Sequence, residues 1–194
     1  MSQPFDRSAT AEQPGEIDPE LGEFWVKDPF QINFENNLSS FERNRAFLNL
    51  GGRKFLEISR LTGADSDGDG RAVVAADLDS DGREELIVRQ SGGGPLLIYR
   101  NQFPSGNWLE ITLRGKTSNS HGIGARLIAE VGGKRLVRDQ FPVNSYRSQA
   151  SNRVHFGLGP AEKIDQLTIH WPSGSKQILK TIDSNQHLTI EEKP

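Results

Sequence analysis

The sequence predicts an all-β fold of short antiparallel strands, and three observations support this prediction. The apolar runs are short and rich in valine and isoleucine, without the spacing of an amphipathic helix. Glycine, proline, asparagine and aspartate separate these runs at regular intervals. Polar and apolar residues alternate in Leu109–Leu113 and Leu167–Trp171, as in strands with one buried face. The pattern favours an antiparallel sandwich or barrel.

The first strands are predicted between residues 46 and 100. Gly51-Gly52 separates two runs by the two residues of a tight hairpin turn. Residues 91–94 form a second glycine-rich connection further along the chain. The predicted strands are Ala46–Leu50, Lys54–Ser59, Ala72–Ala76, Glu85–Arg89 and Pro95–Arg100.

A boundary is predicted at residues 101–107, where proline, glycine, serine and asparagine cluster. Gly132-Gly133 and Pro172–Gly174 supply turns beyond it. The chain thus divides into an N-terminal segment (1–40), a first β unit (41–105) and a C-terminal β-sandwich (106–194). The strands predicted for the sandwich are Trp108–Leu113, Ala125–Val131, Lys134–Gln140, Arg153–Leu158, Gln166–Trp171, Lys176–Lys180 and Gln186–Glu191.

Charge is unevenly distributed along the chain. Residues 1–40 carry eight acids and two bases, and the polar stretch 1–20 has the composition of a flexible tail. The rest of this acidic segment is predicted to dock onto a folded domain, because it carries Phe24, Trp25, Phe30, Ile32 and Phe34. Residues 106–194 carry twelve bases and eight acids. These bases are dispersed and lack aromatic platforms, so we expect no nucleic-acid partner.

Composition excludes several classes of protein. The hydrophobic fraction is 34% and the mean hydropathy is −0.59, and no apolar run is long enough to span a bilayer. The chain has no cysteine, which excludes disulfides, zinc thiolate sites and thiol chemistry. Met1–Glu20 lacks the basic and apolar regions of a secretory signal, so none is expected in this segment as it stands.

The most informative motif is an acidic loop between two apolar runs, Ala72–Ala76 and Leu86–Val88. It reads D-x-D-x-D-G-x-x-E from Asp77 to Glu85, and it is not an EF-hand because the twelfth position is Val88. Hard oxygen ligands at alternating positions followed by glycine suit calcium. The predicted Ca²⁺ ligands are the side chains of Asp77, Asp79, Asp81 and Glu85 and the backbone carbonyl of Arg83. The alternative is a metal-free hairpin turn, since aspartate and glycine are common turn residues.

A second acidic stretch lies upstream, at Asp65, Asp67 and Asp69. It repeats the alternation, but its ninth position is Val73, so it lacks a closing carboxylate. We therefore favour a solvated loop here, and whether it holds a second ion is left open.

Two parts of the chain resemble known families. Arg45–Phe55, Asp77–Val88 and Leu97–Asn101 together resemble one FG-GAP (VCBS-type) repeat. Most of the remainder is similar to an ASPIC/UnbV domain, as found at the C-terminal end of cartilage acidic protein and its bacterial relatives. The residues that carry this second resemblance are Asn107–Leu109, Gly122–Arg126, Ser145-Tyr146, Ser148-Gln149, His155–Gly159, Ile169–Gly174 and Asn185-Gln186.

The resemblance implies a propeller-blade-like antiparallel sheet that packs against a C-terminal antiparallel β-sandwich. It also implies that calcium binds between two blade strands and that the protein has an extracytoplasmic or secreted role in interaction or adhesion. No reaction chemistry comes with it, so we expect no enzyme. FG-GAP repeats normally occur several at a time, whereas one is visible here. The lone blade must therefore be covered by the sandwich, by the Phe24–Phe34 segment or by another subunit, which makes a homo-oligomer possible.

Other candidate sites are weaker. None of His121, His155, His170 and His187 has a metal-ligand partner at suitable spacing, and no nucleophile elbow or phosphate-binding loop is present. The polar cluster Ser145–Gln149, with Arg153 nearby, is interpreted as a hydrogen-bonded loop. Trp171 is interpreted as a tryptophan packed at the end of a strand. The alternative function is carbohydrate binding, or an accessory role in carbohydrate processing, through Tyr146, Trp171, Arg147 and Arg153. The predicted ligand is thus an unidentified protein or glycan.

Overall fold

The computed structural model describes residues 17–18, 23–24, 43–68, 70–90, 95–144 and 146–193. The chain forms two compact units, residues 1–73 with 88–99 and residues 74–87 with 100–194. The domain boundaries expected after residues 40 and 105 stay a prediction. The docking segment expected between Phe24 and Phe34 lies outside the described residues, except for Phe24. No helix among the described residues is long and apolar enough to cross a membrane.

Among its described residues, the first unit has two small antiparallel pairs, one short helix and part of a three-stranded sheet. Strands β1 (Ile17–Asp18) and β2 (Glu23–Phe24) pair, as do β3 (Phe47–Gly51) and β4 (Lys54–Glu57). Helix α1 (Ser59–Thr62) ends at Gly63, whose φ of 68° is left-handed. The strand predicted to reach Ser59 stops at Glu57, because the Glu57 carboxylate accepts the Ser59 backbone N–H at 2.9 Å and starts the helical turn.

A three-stranded sheet carries the acidic loop. Its strands are β5 (Gly70–Ala76), β6 (Glu85–Gln90) and β7 (Leu97–Tyr99), in the order β5-β6-β7. The predicted strands in this region match these within a few residues. The loop of residues 77–84 joins β5 to β6, as expected from its apolar flanks, and it belongs to the second unit.

The second unit is built on two sheets. The first has the order β10-β9-β14-β15 and the second the order β13-β8-β16, and a minor hairpin pairs β11 with β12. The strands are β8 (Asn107–Arg114), β9 (Arg126–Val131), β10 (Lys134–Asp139), β11 (Val143–Asn144), β12 (Ser148–Gln149), β13 (Arg153–Gly159), β14 (Lys163–His170), β15 (Lys176–Asp183) and β16 (Gln186–Glu191).

One apolar core joins these two sheets. Leu109, Ile111 and Phe156 come from the β13-β8-β16 sheet. Leu127 and Leu167 come from the four-stranded sheet. All five side chains are fully buried. The all-β class and the sandwich predicted for this part of the chain are therefore confirmed.

The strand pairing departs from the prediction at one point. Every other pair in the two sheets is antiparallel, but β16 runs parallel to β8, with Leu188 opposite Ile111. The hydrophobic alternation of a half-buried strand is the same in both directions, so the sequence pattern does not distinguish them.

A buried carboxylate fastens one end of the sandwich. Glu192, directly after β16, is 1% exposed. Its Oε2 accepts the backbone N–H groups of Lys116, Thr117 and Ser118 at 2.7–2.9 Å. Its Oε1 accepts the hydroxyls of Ser118 at 2.9 Å and Ser173 at 2.5 Å. One side chain thus joins the β8–β9 loop, the β14–β15 loop and the end of β16.

Candidate metal site

Three of the predicted ligands lie together in the acidic loop. One carboxylate oxygen each from Asp77, Asp79 and Glu85 can be chosen so that all lie within 4.8 Å of one another. Two oxygens bound to one calcium ion at roughly 2.3–2.6 Å are at most about 5 Å apart. The spacing of these three carboxylates is therefore compatible with a single ion.

Backbone donors hold the Asp77 carboxylate in place. Its Oδ1 accepts the Asp81 N–H at 3.2 Å and its Oδ2 accepts the Gly82 N–H at 2.8 Å. Gly82 has a φ of 84°, a left-handed conformation that glycine adopts without strain. The glycine therefore turns the loop back so that its amides point towards the first acid.

Glu85 is the buried member of the group. It is 4% exposed and opens β6. Its Oε2 accepts the Leu78 N–H at 3.1 Å and its Oε1 accepts the Asn101 N–H at 3.3 Å. Since a carboxylate has about four lone-pair sites, these two bonds leave acceptor capacity for an ion.

Asp81 lies apart from the three-carboxylate group. Its Oδ2 accepts a 2.9 Å hydrogen bond from Nε of Arg83 and also contacts Nη2 of the same guanidinium. This pairing lowers the pKa of Asp81 and raises that of Arg83. In the structure, the predicted fourth carboxylate therefore pairs with an arginine. The ligand roles of Asp81 and of the Arg83 carbonyl stay predictions.

A second arginine, Arg100, pairs with an acidic residue of the loop. Nη2 of Arg100 lies 3.2 Å from Oδ2 of Asp79, and both side chains are exposed. An exposed ion pair of this kind contributes little energy and is easily exchanged. Sequence reasoning missed Arg100, because nothing in its spacing relates it to an acid 21 positions earlier.

The acidic loop packs on the outer face of the β13-β8-β16 sheet, which belongs to the same unit. A Cβ placed on Gly82 would lie 1.9 Å from Cδ1 of Trp108. The Gly82 carbonyl lies 3.1 Å from Nε2 of His155. Nδ1 of His155 lies 3.8 Å from Oε2 of Glu84. Sequence reasoning found no metal-ligand partner for His155, and no pattern linked it to the loop.

A row of polar side chains crosses this outer face. His155, Glu110 and His187 stand side by side on β13, β8 and β16. Glu110 is 8% exposed and contacts Nδ1 of His187, and it accepts a 3.0 Å hydrogen bond from Arg153. His187 also packs edge-on against Trp108, with the ring centroids 5.0 Å apart.

The upstream acidic stretch is arranged differently. Asp65 pairs with Arg43 at 2.9 Å, and the same guanidinium donates to the Asp65 backbone carbonyl. Asp69 lies outside the described residues. Among the residues that the structure describes, the one acidic group with metal-ligand spacing is Asp77, Asp79 and Glu85.

The residues considered for carbohydrate binding differ in how exposed their side chains are. Trp171 is 3% exposed and its Nε1 donates to Gln177, so it is the packed tryptophan that the sequence favoured. Tyr146 is exposed in the β11–β12 turn and stacks with the Arg147 guanidinium, 5.2 Å from its ring centroid. Arg153 is paired with Glu110.

Comparison with known proteins supports one of the two resemblances. A search of curated proteins found no significant match. Residues 115–194 match the family described as ASPIC and UnbV, a range that contains strands β9 to β16 but not β8.

Proposed function

We propose that this chain is a non-catalytic, calcium-binding β protein that acts as a protein-interaction module of the adhesion type. The observation that carries the proposal is the convergence of the Asp77, Asp79 and Glu85 carboxylates within 4.8 Å. Three negative charges at this distance repel one another, and a divalent cation among them would reverse the sign of that interaction.

Calcium would stabilise the loop rather than perform chemistry. Asp77, Asp79 and Glu85 would hold the ion, and backbone carbonyls and water would complete the usual six to eight or so oxygen ligands. Asp81 would join them if its pairing with Arg83 were exchanged for the ion. We also propose an extracytoplasmic or secreted location, as the family resemblance implies; calcium modules in that setting bind with Kd on the order of 10⁻⁴–10⁻³ M.

The position of the loop supports an FG-GAP-type repeat. The acidic residues lie between β5 and β6 of a three-stranded sheet, where that family is expected to bind calcium. We propose that residues 41–105 contain a single such repeat, followed by the sandwich whose residues 115–194 match ASPIC and UnbV.

Thermal unfolding with and without calcium tests the proposal. Calcium at about 100 times its Kd stabilises the folded state by about 2.7 kcal/mol, or about 5–10 °C for a chain of this size. Asp79→Ala should abolish this shift, whereas Asp67→Ala, in the upstream stretch, should retain it. A melting temperature that calcium and chelator leave unchanged would refute the site, and magnesium serves as the control for ionic strength.

We propose a protein as the partner, with a second copy of this chain as one form of it. The β3–β4 pair exposes the side chains of Phe47, Phe55 and Leu56, which favours association through the blade. Light scattering with and without calcium measures the mass in solution. A monomer under both conditions would exclude the second copy.

Carbohydrate binding is the second candidate. It is favoured by the exposed Tyr146 ring and its neighbour Arg147, which together offer a stacking face and a cation. A glycan array with the intact chain and with Tyr146→Ala tests it. Binding that is equal in both proteins, or absent from both, would exclude this hairpin as the contact.

A further inference from the structure

We propose that ion binding in the acidic loop is coupled to the outer face of the β13-β8-β16 sheet through a seat made by Trp108 and His155. This coupling rests on the proposed calcium function, and it is the property of the sheet that the ion would control. Calcium would lock the loop onto the seat. Loss of calcium would release the loop and loosen the sheet beneath it.

Shape is the first argument for the seat. Trp108 is 8% exposed, and Gly82 lies so close to its indole that any side chain at this position would overlap the ring. The contact requires a residue with no Cβ and a φ of 84°. Position 82 therefore accepts glycine and excludes any residue with a side chain.

One residue, Gly82, also connects the site to the sheet. The N–H of Gly82 donates to Oδ2 of Asp77 at 2.8 Å, and its carbonyl accepts Nε2–H of His155, with the heavy atoms 3.1 Å apart. Gly82 thus contacts a candidate ligand through its amide and the sandwich through its carbonyl. An ion that fixes Asp77 would also fix the amide that positions this carbonyl.

The connection extends across all three strands. His155 on β13 stands beside Glu110 on β8, which in turn stands beside His187 on β16. The His155 ring stacks at 6.4 Å from the Trp108 ring, and His187 packs on the opposite side of the row. The seat is therefore part of the sheet's own side-chain packing.

Thermodynamic linkage makes the coupling reciprocal. Because the calcium-free loop is undocked in this proposal, calcium binding must also supply the free energy of docking, and a change that weakens docking weakens the apparent calcium affinity by the same factor. Variants of the sheet, far along the chain from the ligands, should therefore alter the affinity of the loop. This consequence separates coupling from simple proximity.

The first experiment removes one hydrogen bond from outside the loop. His155→Leu deletes the donor to Gly82, and His155→Gln offers an amide donor in its place. Titration calorimetry with calcium should show a Kd about fivefold weaker for His155→Leu, the usual effect of one hydrogen bond, and recovery in His155→Gln. Equal affinity in His155→Leu and the unaltered chain would overturn the coupling.

The second experiment changes the seat by shape. Gly82→Ala should lose both calcium affinity and docking, because its Cβ overlaps Trp108. Gly51→Ala is the matched control, with a similar φ of 80° and open space around the new atom. Gly51→Ala should bind calcium normally, and an equal loss in both variants would overturn the steric part of the coupling.

The readout is local to the sheet. The chain has three tryptophans, and their indole N–H resonances can be assigned with Trp108→Phe. Calcium should shift the Trp108 resonance and slow amide exchange in β8 and β13. Calcium binding without either change would overturn the coupling and leave the proposed function intact. Absence of calcium binding by calorimetry would instead overturn the proposed function, and the coupling with it.

Discussion

The Glu192 carboxylate accepts a 2.7 Å hydrogen bond from the backbone N–H of Ser118, a residue 74 positions earlier. Burial acts to raise the pKa of Glu192, but bonds from the Ser173 hydroxyl, the backbone amides and the Ser118 hydroxyl outweigh it and lower the pKa to about 2. The carboxylate is therefore held in its charged form by a cradle of donors.

This cradle predicts a specific dependence of stability on pH. The pKa of Glu192 falls from 4.5 to about 2 on folding, so its contribution is complete above pH 4.5 and is lost as the pH falls towards 2. Glu192→Gln should unfold more readily than the unaltered chain at pH 6, and the difference should narrow below pH 4. Glu191→Gln, an exposed neighbour, is the control for general acid effects. A gap that stays constant between pH 6 and pH 2.5 would contradict the assignment.

Arg83 is predicted to compete with calcium for Asp81. Replacing it in Arg83→Met frees the carboxylate and removes a positive charge from the loop, so the calcium Kd should tighten several-fold. Asp81→Asn should weaken binding modestly through the lost charge alone, and strongly if Asp81 becomes a ligand. Calorimetric titration of the two single variants and the double variant measures this. Unchanged affinity in Arg83→Met would show that Asp81 stays outside the ion's coordination.

Gly122 is predicted to be intolerant of a side chain. Its φ is 60°, and a Cβ there would lie 2.9 Å from Cβ of Leu113 and 3.2 Å from the Trp171 ring. Backbone strain and overpacking together should cost Gly122→Ala about 3 kcal/mol of unfolding free energy. Gly133→Ala, which has open space at a φ of 77°, should cost about 1 kcal/mol from backbone strain alone. Urea denaturation compares them, and equal losses would mean that packing is not the cause.

The core is predicted to be sensitive at Leu109, the β8 residue between Trp108 and Glu110. Leu109 is 0% exposed, so Leu109→Ala should lower the free energy of unfolding by about 2–5 kcal/mol through lost burial and a residual cavity. Ile178→Ala, on an exposed position of β15, should cost less than about 1 kcal/mol. Chemical denaturation of both variants, with calcium fixed, tests the difference.

Local pattern was sufficient for most of the sandwich. Alternation and glycine turns placed the strands around Gly132-Gly133 correctly, because hairpin partners are neighbours in sequence. The same pattern missed the short strands Val143–Asn144 and Ser148–Gln149, since two-residue strands with polar side chains have no detectable period. The parallel direction of β16 was also missed, because it depends on packing between residues far apart in the chain.

The candidate site was predictable in composition but not in arrangement. The spacing of Asp77, Asp79 and Glu85 selected residues that the fold brings together. The pairing of Asp81 with Arg83 was not foreseen, because two side chains at i and i+2 can face either each other or the loop centre. The seat on Trp108 and His155 depends on how a loop packs on a sheet, which spacing along the chain does not encode.

The parallel pairing of β8 with β16 affects how the sandwich is made on the ribosome. The backbone N–H of Asn185 donates to the carbonyl of Trp108, 77 positions earlier. The edge of β8 that pairs with β16 therefore stays open until β16 has been synthesised. At about 5–20 residues per second, that interval lasts about 4–15 s. During this interval, one edge of the apolar strand β8 is unpaired. High contact order predicts slow folding, and the unpaired edge of β8 predicts a tendency of the nascent chain to aggregate during this interval.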